Sequence, residues 1–168
     1  MCINLFSTAA NDARSPVSAP IVVLEATSMT RNQGAEMQYL LVRLTDDGKV
    51  EWDKYLGNAW ERQTSSVTAE RVSEIQRRLE SIDWSLLHDA MGPYHIYVDT
   101  SWELQIHVAT KQGDVSFSVK NPWPPSVIPS RKPMPKDVKA VVCEISRLHA
   151  QVANTPVDEM CLARTKSR

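Results

Sequence analysis

The chain has five glycines, three cysteines, two phenylalanines and no long apolar run. Each scarcity excludes something. The glycines are scattered, so no Gly-rich loop is present to cradle a phosphate. No segment approaches the roughly 20 apolar residues that a membrane-spanning helix needs, so no transmembrane segment is expected. Charge of one sign is also missing: 19 Lys and Arg face 20 Asp and Glu, for a formal net charge of −1. Phosphate backbones are gripped by a concentrated basic patch, so no nucleic-acid partner is expected. The cysteines, Cys2, Cys143 and Cys161, are odd in number and match no zinc spacing and no disulfide framework, which predicts free thiols.

The first residues contain Ile3, Leu5 and Phe6 but lack a basic flank and an apolar core of signal-peptide length. Localisation is therefore unknown: cytoplasmic as the sequence is written, extracytoplasmic if the start is truncated. A lipid anchor at Cys2 is expected only if a signal sequence is missing upstream.

What is present is periodicity, and it occurs twice. Leu40, Val42 and Leu44 alternate into Thr45-Asp46-Asp47-Gly48, and Val50 and Trp52 alternate out. Leu104, Ile106 and Val108 lead into Thr110-Lys111-Gln112-Gly113, and Val115, Phe117 and Val119 lead out. A helical stripe follows each hairpin. Val72, Ile75, Leu79 and Ile82 have counterparts at one constant offset in Val138, Val141, Ile145 and Leu148. The pattern predicts an α+β fold, an antiparallel sheet of two repeated β-hairpin/helix units with both helices packed on one face.

Residues 1–20 read as a disordered leader, 21–152 as a single α+β domain with repeats at about 36–83 and 95–150, and 153–168 as a flexible tail on which Met160 to Leu162 could dock. Within the domain, Ile21 to Ala26 reads as the first strand, Ser28 to Ala35 as a loop, Glu36 to Leu44 as the second strand, and Lys49 to Tyr55 as the third. A link through Trp60 then leads to a helix capped by Thr68 and ending near Ile82. From His95 a long alternation puts Ile96, Val98, Trp102, Leu104, Ile106 and Val108 on one side and His95, Tyr97, Asp99, Ser101, Glu103, Gln105 and His107 on the other. Asn121 to Lys136 holds six of the ten prolines, so it reads as a stiff connector, with Pro135 at the first position of the second helix. The phase of that helix turns Cys143 away from the stripe and outward.

Three groups of residues could carry chemistry. His88, His95, Asp99 and Glu103 supply imidazole and carboxylate ligands of the kind that divalent metals use. Residues four apart on a strand are ~13 Å apart, however, so one strand cannot chelate an ion with them. Cys143 and His149 are six positions apart on one helix and point in different directions, so they form no nucleophile and base pair. The third group is aromatic: Trp52, Tyr55, Trp60, Tyr94, Tyr97 and Trp123. Trp52 and Trp102 fall on inward phases and Trp84 follows the first helix stripe, so these three are expected in the core, which leaves the loop residues Trp60 and Trp123 as surface candidates. No catalytic residue is assigned and no cofactor is expected. The binding residues named by this reading are Trp60, Trp123, Tyr94, Tyr97 and His95.

The run Tyr39-x-Leu41-x-x-Leu44-x-Asp46-Asp47-Gly48-x-Val50-x-Trp52, followed by Val67-Thr68-Ala69-Glu70-Arg71-Val72 and Ile82-Asp83-Trp84-Ser85-Leu86, resembles a domain-of-unknown-function family of small bacterial proteins. The resemblance spans about Val22 to Leu148 and implies the duplicated hairpin-helix unit. It also implies export or lipid anchoring, which is common in that family and would suit Cys2. The cysteine and proline that often follow the first strand there are replaced here by Met29 to Gly34, so the resemblance supports no redox or disulfide role. The preferred function is a non-catalytic binding or interaction domain for a protein or small ligand. The alternative is a small metal-dependent or hydrolase-like enzyme using His88, His95, Asp99 and Glu103.

Overall fold

The computed structural model describes residues 20–32, 35–84, 100–120 and 135–162. Six strands form one antiparallel sheet: β1 (Val22–Asn32), β2 (Ala35–Thr45), β3 (Lys49–Tyr55), β4 (Trp60–Ser66), β5 (Thr100–Thr110) and β6 (Gly113–Lys120). Their order across the sheet is β4-β3-β2-β1-β5-β6, so β1 is central and β4 and β6 form the edges. Among the described residues two α-helices, α1 (Ala69–Glu80) and α2 (Lys136–Ala153), accompany the sheet and give an α+β fold. Among the described residues no helix is long and apolar enough to cross a membrane.

The alternation of Leu104, Ile106 and Val108 turns these side chains into one cluster with Val42, Leu44, Val50, Trp52, Phe117 and Val119. The helix stripes close over that face: Val72, Ile75 and Leu79 from α1, and Val138, Val141, Ile145 and Leu148 from α2, are all buried in the same cluster. Trp52 and Trp84 belong to it as expected, and Trp84 packs against Phe117 at 6.0 Å between ring centres. Each helix begins and ends for a local reason. Thr68 Oγ1 accepts from the Arg71 backbone N–H at 3.3 Å, Glu70 lies in the positive first turn of α1, and Arg77 and Arg78 lie in its last. Pro135 occupies the cap position of α2, one residue before the first-turn place expected, and Asn154 ends the helix in a left-handed conformation.

The structure departs from expectation in four places. The loop expected over Ser28 to Ala35 is mostly strand, because β1 pairs with β2 on one side and β5 on the other through Asn32. Polar side chains there read as a loop, but a central strand is held by two ladders of backbone hydrogen bonds and tolerates them. The expected link through Trp60 is the edge strand β4, paired residue by residue with β3 from Lys49–Ser66 to Tyr55–Trp60. Its exposed, polar side chains carry no inward alternation, which is the signal that reveals a strand.

The third departure is in the β1–β2 ladder, which skips Val23 and Leu41. These bulges break the regular alternation. Leu40 therefore pairs with Thr27, and it is buried apart from the main cluster that holds Val42 and Leu44.

The fourth concerns the cysteines. Cys143 is not an outward free thiol; it is 4% exposed and forms a disulfide with Cys161, whose Cα lies 5.2 Å away. The helical phase correctly placed Cys143 off the sheet-facing stripe, but the chain after α2 folds back and covers that side. The segment expected as a tail with Met160 to Leu162 docked is fixed at Cys161, which ends a short 3₁₀ turn, Glu159–Cys161. The Asp158 N–H donates to Ser146 Oγ at 3.0 Å, and Arg147 donates to the Cys161 carbonyl at 3.2 Å.

Candidate interaction site at the Trp60 corner

Of the residues expected to bind or catalyse, Trp60 and Glu103 are described. Trp123, Tyr94, Tyr97, His95, His88 and Asp99 lie outside the described residues, as does Cys2.

Trp60 owes its position to the β3–β4 hairpin. The turn runs through Leu56-Gly57-Asn58-Ala59, the Leu56 N–H donates to the Ala59 carbonyl at 2.9 Å, and Gly57 takes φ +92°. Tyr55 and Trp60 are the pair flanking that turn, and Tyr55 Oη donates to the Gly57 carbonyl at 2.7 Å. The two rings sit 5.3 Å apart and tilted.

A third ring arrives from β2. The β2–β3 ladder contains the pairs Arg43–Glu51 and Leu44–Val50, and past them the Asp53 side chain takes over. Asp53 Oδ2 accepts from the Leu40 N–H at 2.7 Å, and Oδ1 accepts from Arg62 Nε at 2.5 Å. Burial works against ionisation of Asp53, but the Arg62 guanidinium and the Leu40 N–H outweigh it and hold the carboxyl below its ordinary range. This clamp ties β2 to β3 and β4 next to Tyr39. The Tyr39 ring stacks on Trp60 at 4.2 Å with 9° between planes, and Trp60 Nε1 points at Met37 Sδ at 3.2 Å.

The result is an exposed apolar corner. Met37 is 46% exposed, Tyr55 54%, Leu56 47% and Trp60 37%, while the core residue Trp52 is 8% exposed. Scattered apolar residues at a surface are ordinary; a contiguous group organised by stacking is the pattern of a contact surface. Next to it runs β4, the sheet edge, whose outer backbone groups pair with no strand among those described. From the sequence, Trp60 is named as a binding residue and Tyr55 only within the aromatic group; Tyr39 and Met37 are not named. The available signal was Gly57-Asn58: read as a hairpin turn rather than a strand end, it pairs Tyr55 with Trp60.

Glu103 lies elsewhere, on the sheet face turned away from the helices. With Glu25, Gln105, His107 and Ser116 it lines a shallow groove of about 450 Å³. His107 Nδ1 is 3.0 Å from Ser116 Oγ, and Glu25 accepts from Arg43 Nε at 2.5 Å, so part of this polar face is taken up in side-chain pairs. No group of three or more His, Cys, Asp or Glu among the described residues could hold a metal ion. His149 on α2 is half-buried, and burial pushes its imidazole below the ordinary range, which favours the neutral ring.

Compared with models of known protein families, the chain matches none, and no curated protein matches it either.

Proposed function

We propose that the chain is a non-catalytic binding domain that recognises an extended segment of another protein at the β4 edge and the Trp60 corner. The observation that carries this reading is the exposed, stacked cluster of Trp60, Tyr39, Tyr55 and Met37 beside β4, whose outer side pairs with no strand among those described. An added strand takes its affinity from main-chain hydrogen bonds and its specificity from side-chain contacts, and this corner offers both. Aromatic anchors bury large areas at low entropy cost, which suits them to hot spots.

The same proposal includes an internal duplication. The β2–β3 and β5–β6 hairpins flank β1, and the helix stripes repeat at one offset. On that reading β4 belongs to the first unit alone, so a specialised contact made there would be an addition to the duplicated frame. The resemblance to small, often exported bacterial proteins belongs to the proposal too. The Cys143–Cys161 bond supports an extracytoplasmic setting, because cytosolic thiol pools usually keep such pairs reduced.

The test is site-specific photocrosslinking in cells that express the protein, with the crosslinker at Leu56, at Gln63, or at Gln76 on α1 as a distant control. Discrete protein adducts from the first two positions, lost with Trp60→Ala, support the reading. Adducts equally abundant from all three positions, or unchanged by Trp60→Ala, defeat it.

A further inference from the structure

The Cys143–Cys161 disulfide forms part of the wall of a groove of about 550 Å³ between α1, α2 and the returning chain. That volume suits a low-molecular-weight ligand rather than a macromolecule. Lys136, Lys139, Cys143 and Arg147 all line it from one face of α2, at spacings of three and four residues, so the half-cystine lies between cations one turn away on each side. Arg78 contributes from α1. The opposing carboxylates in the wall are Asp137 and Glu144, so four cations face two anions. Glu144 is already engaged by Arg71 at 2.6 Å, by Arg78 at 2.9 Å and, more distantly, by Arg147 at 3.8 Å. Lys136 and Lys139 make no ion pair among the described residues, which leaves the mouth of the groove positive.

We infer that this groove is a thiol–disulfide exchange site for small anionic thiols, with Cys161 attacked and Cys143 released. The incoming thiolate forms a bond to Cys161 Sγ, and the Sγ–Sγ bond breaks with its electron pair leaving on Cys143. A second small thiolate then attacks the small-molecule sulfur of the mixed disulfide, and that S–S bond breaks with its electron pair leaving on Cys161 Sγ, giving the small-molecule disulfide and the Cys161 thiolate. Two thiols are thus oxidised and one disulfide is reduced, with the sulfur protons passing to solvent and back. Cations beside a sulfur stabilise it as a thiolate, so Lys139 and Arg147 make Cys143 the better leaving group. The same cations, with Lys136, gather a thiol that carries carboxylates. The segment that Cys161 anchors then keeps three hydrogen bonds to α2, from Thr155 to Ala150, Asp158 to Ser146 and Arg147 to Cys161. These weaker ties keep the two sulfurs close, so re-oxidation restores the bond.

The experiment compares the folded, oxidised protein with glutathione as the anionic probe and cysteamine as the cationic one, at low ionic strength. Disulfide loss is followed by alkylation and intact-mass spectrometry, with rates expressed per thiolate. The expected result is a glutathione preference that falls about fivefold in Lys136→Gln/Lys139→Gln and disappears at high salt, as steering by two surface charges requires. Peptide mapping should place the first glutathione adduct on Cys161. A preference unchanged in the double variant overturns the inference, as does an adduct on Cys143. Reduction by both thiols at the rate of global unfolding also overturns it, since the bond would then react only in the unfolded chain.

Discussion

Glu144 on α2 accepts a hydrogen bond from Arg71 on α1 at 2.6 Å, with a carboxylate side chain only 3% exposed. Its second oxygen accepts from Arg78 at 2.9 Å, and Glu74 completes the cluster by pairing with both arginines. The charge of Glu144 raises the Arg78 guanidinium above its ordinary value, first through the hydrogen bond and then through the field. The two helices are thereby locked to each other above the core. Glu144→Gln keeps the volume but leaves the arginines without their central anion. The expected loss is about 2 kcal/mol, below the full cost of breaking a buried pair because Arg78 is half exposed. Urea denaturation measures it, and a change within a few tenths of a kcal/mol would mean that the cluster is neutral.

The apolar half of this architecture could be read directly from the sequence, and the polar half could not. Val72, Ile75 and Leu79 and their counterparts in α2 announce themselves by spacing, because burial on one face imposes a period. Glu144 carries no such mark, since its burial depends on Arg71, which is distant in sequence. Cys143 failed in the same way: phase gives its direction from the helix axis, but not the chain that returns to cover it. At the aromatic corner Trp60 stood out by type, whereas Tyr39 meets it beside the Asp53 clamp, a contact that no local pattern encodes.

Gly48 and Gly57 separate two effects that usually occur together. Both have positive φ, +86° and +92°, which disfavours any side chain. A Cβ at Gly48 would also lie 2.6 Å from the Val67 carbonyl oxygen, whereas a Cβ at Gly57 meets nothing within 4 Å. Gly57→Ala should cost about 1 kcal/mol, from backbone conformation alone. Gly48→Ala should cost at least about 2 kcal/mol, because the backbone of the β4–α1 junction must also move. Equal losses in thermal or urea melts would show that the junction yields freely.

The stack of Tyr39 on Trp60 should register as a coupling rather than as two independent losses. Each ring is partly exposed, so Tyr39→Ala and Trp60→Ala should each cost only about 1 kcal/mol. In a double-mutant cycle the two should interact by about 0.5–1 kcal/mol, as expected for a specific aromatic pair. Asp53→Asn should lower that coupling, because it weakens the clamp that brings β2 to Trp60. Additive losses in the cycle would show that the rings touch without supporting each other.

Removing the disulfide tests the unfolded chain as much as the folded one. Cys143 and Cys161 are 18 residues apart. On the chain-entropy account, closing a loop of that length contributes about 3 kcal/mol by restricting the unfolded ensemble. Cys143→Ala/Cys161→Ala should lose about that amount and become sensitive to limited proteolysis in 155–162, with α2 itself remaining helical. A melt unchanged from the oxidised wild type would remove the disulfide from the account of stability.

Acid should destabilise the fold in two stages. Burial holds the His149 imidazole below its ordinary value of 6.5, so the unfolded chain takes up a proton before the folded chain does. Stability is then complete above about pH 6.5 and begins to fall as the pH drops below it. The second stage comes from carboxyls whose folded values are lowered: Asp53, where Arg62 and the Leu40 N–H overcome burial, and Glu51, chiefly through Lys49. Their contribution is present above about pH 4 and disappears as they protonate in the native state. Urea midpoints measured from pH 8 to 3 should therefore decline in two steps. His149→Gln should abolish the upper step and leave the lower one, because glutamine takes no proton in that window. An upper step that survives the substitution would assign it to another group.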